Sequence, residues 1–80
     1  MQGILEKLII CIEMENWEKA EQFAGQVKKL IAEEETELRR AVFRLELIIR
    51  KEQAENAVKQ YEIVKTALKE HFRENWGGNN

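Results

Sequence analysis

Residues 1–34 and 38–71 of this chain repeat one another at an offset of 37 positions. Eight of the 34 aligned positions are identical, and further apolar positions coincide. Because the apolar stripe is shared, each half predicts one helical hairpin, and two hairpins predict a small bundle. Amphipathic helices rich in Glu, Lys, Leu and Ala also share residues by chance, so duplication and coincidence both remain open. The identical pairs are Leu8 with Leu45, Ile12 with Ile49, Glu15 with Glu52, Glu18 with Glu55, Ala20 with Ala57, Val27 with Val64, Lys28 with Lys65, and Glu33 with Glu70.

The turns inside the two hairpins are found from shifts in the apolar stripe, because the chain has no proline to mark them. The apolar stripe formed by Leu5, Leu8 and Ile12 falls out of register with the stripe that starts at Trp17. This shift predicts a turn over residues 14–16, with the Asn16 side chain as the N-cap of the second helix. A second shift predicts a turn over residues 51–53.

The middle of the chain admits two interpretations, because the apolar phase continues through it without a slip. A single helix over residues 17–50 would have 34 residues, well above the usual length. A break at residues 33–36 is favoured, since the repeat boundary falls there and the charges alternate as four separate helix dipoles require. Thr36 is the predicted N-cap of the third helix.

The predicted fold is all-α, with two antiparallel helical hairpins forming a small four-helix bundle. Three helices with a long central one are the alternative. The domain is predicted over residues 1–76, with hairpins at 2–34 and 36–76 and a flexible tail at 77–80. The predicted core consists of Leu8, Ile12, Trp17, Ala20, Ala24, Val27, Ile31, Leu45, Ile48, Ile49, Ala57, Tyr61, Val64 and Leu68.

Charge and cysteine content limit the possible partners and the compartment. Thirteen Lys and Arg nearly balance fifteen Asp and Glu, so no overall charge attracts the chain to nucleic acid or to an anionic membrane. Cys11 is the single cysteine, which fits a small core residue in a reducing, cytoplasmic compartment. The apolar run at residues 8–12 is far shorter than the ~20 residues that span a bilayer, so we expect no membrane insertion.

The sequence NWEKAE at residues 16–21 carries a resemblance to known helical repeats. The apolar residues that follow it are Phe23, Val27 and Leu30. This segment resembles the second helix of a tetratricopeptide repeat, although the period of 37 differs from that family's 34. With the Arg-Leu pair at residues 44–45, it is also similar to a family of small bacterial helical domains of unknown function, over residues 5–72. Neither resemblance implies an enzymatic activity.

Few side chains have the pattern that catalysis or metal binding requires. The acidic run at residues 33–37 fits a solvated cluster that complements a helix dipole, because no calcium-loop glycine accompanies it. His71 is the only histidine and fits a surface position, and the stem of Lys65 is expected to pack while its amine reaches solvent. Serine is absent, and so is a glycine-rich phosphate loop. We therefore predict no enzyme, no catalytic residue, no metal and no cofactor.

The third helix carries apolar residues on two faces, which indicates an intermolecular contact. Phe43 and Leu47 lie one turn apart on the face opposite the core stripe, and Ile10 and Met14 leave the stripe of the first helix in the same way. A domain this small cannot bury all of them, so self-association or binding of another protein is the predicted function. A nucleic-acid-binding regulator that uses the basic face of helix 3 is the alternative. The interface candidates are Phe43, Leu47, Ile10, Met14, Arg40 and Arg44.

Overall fold

A computed structural model of the protein describes residues 2–73, and the predicted tail at 77–80 lies outside them. Within the described range the chain is all-α, as predicted, and contains no strand. The helices are α1 (Gln2–Glu13), α2 (Trp17–Lys29), α3 (Thr36–Arg50) and α4 (Ala54–His71). The two hairpin turns therefore lie at residues 14–16 and 51–53, where the shifts in the apolar stripe predict them.

The chain breaks between α2 and α3, so the four-helix prediction is confirmed and the alternative with a long central helix is wrong. The connecting loop inserts Ile31 into the core. Arg39 closes the end of α2, because its Nη1 donates to the carbonyl of Lys28 at 3.2 Å and to that of Ile31 at 2.9 Å. The Lys28 carbonyl also accepts from the Ile31 amide at 3.1 Å, so Arg39 adds a second donor there and provides a side-chain donor for the Ile31 carbonyl. The prediction that Thr36 caps α3 is wrong by one position, because the helix begins one residue earlier than predicted. Glu35 is the N-cap, without a side-chain cap bond, and Thr36 is the first helical residue.

The four helices form a closed ring of neighbours. Both α1 and α3 pack against α2 and α4. The two hairpins are therefore α1–α2 and α3–α4, and α1 lies diagonally across the bundle from α3. The outward sides of α1 and α3 consequently point away from each other.

The core of the bundle repeats at the 37-residue offset found in the sequence. Every buried apolar residue has a buried apolar counterpart 37 positions away, so the interior has pseudo-two-fold symmetry. This symmetry supports the prediction that each half of the chain forms an equivalent hairpin. The buried pairs are Leu5 with Val42, Leu8 with Leu45, Ile12 with Ile49, Ala20 with Ala57, Ala24 with Tyr61, Val27 with Val64, and Ile31 with Leu68.

Two members of the predicted core are only partly buried, Trp17 and Ile48. Trp17 is the first residue of α2 and lies at the end of the bundle. Ile48 lies two turns after Ala41 on the flank of α3 rather than on its central stripe. Leu5 and Val42, which continue the stripes toward the start of α1 and α3, are buried instead.

The two hairpin turns have the same backbone hydrogen bonds. In each turn one amide bonds a carbonyl three residues earlier and the next amide bonds a carbonyl five residues earlier, which is the Schellman arrangement. The bonds are Glu15 N to Ile12 O and Asn16 N to Cys11 O in the first turn, and Glu52 N to Ile49 O and Gln53 N to Ile48 O in the second. The repeat therefore extends from the core to the connections.

Each of these turns contains a glutamate in the left-handed region. The φ angle is 58° at Glu15 and 56° at Glu52. Most helices that end this way use glycine, because a side chain is strained at positive φ. The Asn16 side chain accepts a bond from the Lys19 amide at 3.4 Å, which confirms the predicted N-cap. Its counterpart Gln53 caps α4 without a side-chain bond.

The pair Ala24 and Tyr61 is the most unequal in the core. The Tyr61 hydroxyl donates to the backbone carbonyl of Leu5 at 3.0 Å and so joins α4 to α1. Burial raises the pKa of Tyr61 above the ordinary 10.0, and the nearby carboxylates, Glu62 foremost, act in the same direction. Ala24, the counterpart of Tyr61 in the first hairpin, is far smaller, so the two halves differ most in side-chain volume at this pair of positions.

Candidate protein interaction surface

Six large apolar side chains are exposed among residues 2–73, and they fall on different sides of the bundle. Ile10 and Met14 extend from α1 and the turn after it, whereas Phe43 and Leu47 lie on α3. Because α1 and α3 are diagonal, these four predicted candidates cannot form one continuous surface. The structure therefore requires a choice between the α1 side and the α3 side. The six residues are Ile10, Met14, Leu30, Phe43, Leu47 and Ile63.

Phe43 has a partner within its own chain. The Lys28 ammonium lies 5.5 Å from the centre of the Phe43 ring, a cation–π distance. The same ammonium bonds a carboxylate oxygen of Glu46 at 2.9 Å, and Glu46 is only 6% exposed. Gly25 of α2 lies beside this pair, where an added Cβ would be 3.8 Å from the other Glu46 oxygen. Phe43 thus already contacts the cation of a partly buried ion pair in its own chain, although it remains 48% exposed.

The cations of α3 have two different roles. Arg39 bonds the end of α2, as described above, and Arg50 Nε bonds a Glu21 oxygen at 2.6 Å. That hydrogen bond and the charge of Glu21 raise the pKa of Arg50 above its ordinary value. Arg40 and Arg44 have no ionic partner among the described residues. Because Arg39 and Arg50 are bonded within the chain, fewer α3 cations are available to a nucleic acid than the alternative prediction requires.

A groove runs along the outward side of the second hairpin, and we call it the α3–α4 groove. It consists of two connected depressions of about 280 and 490 Å³ that share Glu37, Ala41 and Ile63. Ile63 is 56% exposed, the second-highest exposure among the six large apolar residues. The first depression is lined by Glu37, Arg40, Ala41, Arg44, Gln60 and Ile63. The second adds Leu38, Ala67, Glu35, Glu70 and His71.

Small residues open this groove where the first hairpin has large ones. Ala41 and Ala67 line it, and their counterparts 37 positions earlier are Ile4 and Leu30. Gln60 corresponds to Phe23, which packs against the core. Gln60 is instead buried and donates to the Ala41 carbonyl at 3.1 Å. The groove therefore arises from a change of side-chain size on a shared backbone plan.

Charge is unevenly distributed along the α3–α4 groove. Arg40 and Arg44 line only the first depression, and Glu35 and Glu70 line only the second. Arg40 and Arg44 were candidates from the sequence, and the structure brings them to the rim of this groove. Ile63, Ala41 and Glu37 were not candidates. Their role depends on how α3 and α4 pack together, and the only signal in the sequence is the apolar Ile63 at a position that corresponds to Gln26.

The other predicted positions show no arrangement for chemistry. Glu33 and Glu34 are exposed, and Cys11 is partly buried. The Nδ1 of His71 lies 3.8 Å from a Glu35 oxygen. Lys65 is partly buried, as expected for a packed stem. Residues 2–73 contain no cluster of three or more His, Cys, Asp or Glu that could hold a metal ion. In the same range, every helix is too short or too polar to cross a bilayer.

Comparison with known proteins adds no assignment. No protein-family model, curated protein or solved structure matches the chain at a significant level.

Proposed function

We propose that this chain is a non-enzymatic protein–protein interaction module that self-associates through the outward side of the α3–α4 hairpin. The observation that carries the proposal is Ile63, an isoleucine that is 56% exposed and lines both depressions together with Ala41. The surrounding Arg40 and Arg44 provide a polar rim. An apolar centre inside a polar rim is the usual anatomy of a protein interface.

Energetics favour use of this surface. Full burial of an isoleucine side chain contributes roughly 1.5–3 kcal/mol. A domain of 80 residues buries only somewhat over ~60% of its unfolded surface, so association would add to a thin stability margin. On the α1 side, Ile10 has almost the same exposure as Ile63, at 52%, whereas Ile63 also lines both depressions of the α3–α4 groove. The α3–α4 side is therefore preferred over the α1 side.

Light scattering at micromolar concentration tests the proposal. The mass of one chain is 9.5 kDa, so a dimer would have twice that mass, about 19 kDa. We expect the wild type to populate the dimer. Ile63→Glu should raise the dissociation constant at least about tenfold, since a carboxylate buried without a partner costs more than ~1.4 kcal/mol.

Ile10→Glu is the matched control, because it makes the same change at a similarly exposed isoleucine on the opposite side. We expect it to leave the dissociation constant unchanged. If Ile10→Glu dissociates the dimer and Ile63→Glu does not, the interface is the α1 side. A wild-type mass near 9.5 kDa at every accessible concentration would contradict self-association.

A further inference from the structure

We propose that the occupant of the α3–α4 groove is the same groove of a second copy, related by a two-fold axis that places Glu37 of each copy opposite the partner's Arg44. This inference rests on the proposed function and deepens it, because it specifies the orientation and the contacts of the association. A two-fold dimer of this kind uses the same surface on both copies, so every contact occurs twice.

The spacing of Glu37 and Arg44 on α3 gives the register. Both residues line the same depression, and they are seven positions, or about 10 Å, apart along one side of the helix. The midpoint between them falls between Arg40 and Ala41, and the small side chain of Ala41 permits close approach of two helices. A two-fold axis at this point, perpendicular to α3, packs the two α3 helices antiparallel. Each Glu37 then faces the partner's Arg44.

Ile63 lies next to the same axis. It lines both depressions together with Ala41, so it occupies the middle of the groove along its length. In the antiparallel arrangement the two Ile63 side chains meet near the axis, with Leu38 and Ala67 of each copy alongside. The most exposed apolar residue of this side thereby becomes the centre of the interface, where water is best excluded.

The charge distribution of the rim favours a second copy over another partner. Arg44 lies toward one end of the groove, and Glu35 and Glu70 lie toward the other. Antiparallel packing of two copies brings unlike ends together, whereas a parallel arrangement would bring like charges together. A uniformly acidic or basic peptide would match only one end. The two ends of the groove are thus complementary to each other, and the two Arg40 residues lie near the axis, where their side chains must extend to solvent.

A charge-swap experiment tests this register. Glu37→Arg places two arginines opposite each other at both contacts, and Arg44→Glu places two glutamates there. We expect each variant alone to raise the dissociation constant at least about tenfold. An equimolar mixture should return to within about threefold of the wild type. In that heterodimer one contact keeps its original charges and the other has them exchanged, so both are attractive.

Lys7→Glu is the matched control for Arg44→Glu. Lys7 corresponds to Arg44 at the 37-residue offset, is exposed, and lies on the diagonal helix α1. The control makes the same change in net charge and should leave the dissociation constant unchanged. Circular dichroism checks that all variants keep wild-type helicity. If either reversal loses helicity, Glu37→Gln and Arg44→Gln replace the reversals, and each must still weaken the dimer.

The outcomes separate this inference from the proposed function. A monomeric wild type would overturn both. A dimeric wild type that dissociates with Ile63→Glu but is unaffected by Glu37→Arg and Arg44→Glu would overturn only the register. Single variants that dissociate but do not recover in the mixture would also overturn the register, because the two residues would then contact something other than each other.

Discussion

Hairpin α1–α2 and hairpin α3–α4 bury equivalent residues in the core, whereas the residues on their outward surfaces and the polar contacts between their helices differ. Inside, each buried apolar position of one hairpin has a buried apolar counterpart in the other. On the outward surface, Ala41 and Ala67 of the second hairpin correspond to Ile4 and Leu30 of the first at the 37-residue offset. The difference teaches that a repeated core can carry two unlike surfaces. Packing density constrains the interior of both halves, while the outer positions are free to change size.

Polar contacts between helices also distinguish the two halves. Between α2 and α3, Lys28 binds the buried Glu46. At the equivalent positions between α4 and α1 the residues are Lys65 and Ile9, and the lysine has no ionic partner in the described part of the chain. The contact between α2 and α3 therefore contains a partly buried ion pair, whereas the contact between α4 and α1 has an isoleucine at the position of the carboxylate.

The largest expected effect concerns the buried ion pair. Lys28→Met should lower the free energy of unfolding by about 1–3 kcal/mol, because Glu46 stays buried without its partner. Glu46→Ile, which copies Ile9, should change it by less than about 1 kcal/mol or raise it, since Lys28 can extend to solvent. Urea unfolding followed by circular dichroism measures both. An equal decrease in the free energy of unfolding in the two variants would show that the α2–α3 contact does not tolerate the apolar residue found in the α4–α1 contact.

The second prediction concerns Tyr61, which has only Ala24 as its counterpart. Tyr61→Phe removes the bond to Leu5 and should cost about 0.5–1.5 kcal/mol at neutral pH. Folding raises the pKa of this phenol, so the folded state holds its proton more tightly than the unfolded state. The associated stability is fully present below pH 10.0 and is lost as the pH rises through the folded-state pKa.

Unfolding curves of both proteins over the range from neutral pH to above pH 10 check this sign. The difference between wild type and Tyr61→Phe should shrink as the pH rises. Lysine deprotonation affects both proteins equally, so it cancels in the comparison. A constant difference across that range would mean that the hydroxyl titrates as it does in the unfolded chain.

The smallest expected effect concerns the two equivalent turns. Glu15→Gly and Glu52→Gly should each raise the free energy of unfolding by about 0.5–1 kcal/mol, because glycine adopts positive φ without strain. The two gains should be equal and should add in the double variant. Thermal unfolding measures them. Glu55→Gly, in the first turn of α4, is the control and should lower stability by about 1 kcal/mol. Unequal gains would indicate that the turns are not energetically equivalent.

Much of this fold follows from the sequence because the relevant interactions are local or periodic. The shift in the apolar stripe before Trp17 locates the first turn, and Asn16 caps α2 as its type and position suggest. The break before Thr36 was harder to predict, since the apolar phase continues across it. Backbone amides of Leu30 and Ile31 end α2, and Arg39 adds bonds to two carbonyls that depend on how α3 packs beside α2.

The candidate surface could be predicted only in part. Apolar residues off the stripe, such as Leu47, are visible in the sequence because they break a helical period. The groove cannot be predicted from the sequence, because its lining depends on which sides of α3 and α4 pack next to each other. The sequence places Phe43 off the core stripe, and the structure leaves it exposed but also brings the Lys28 ammonium to its ring, a contact that periodicity does not reveal. Contacts between side chains of different helices determine whether an exposed residue is free, and the helical period of one segment carries no information about them.

The unequal pair Ala24 and Tyr61 governs which halves can fold together. A core assembled from two α3–α4 hairpins would contain two tyrosines at the equivalent positions, and overpacking of that kind destabilises a core by roughly 1–3 kcal/mol. A core assembled from two α1–α2 hairpins would contain two alanines and a void. The native core combines one residue of each size at these two positions. A repeat of identical halves would be open to exchange of hairpins between chains, and the large difference in side-chain size at this pair disfavours that misassembly.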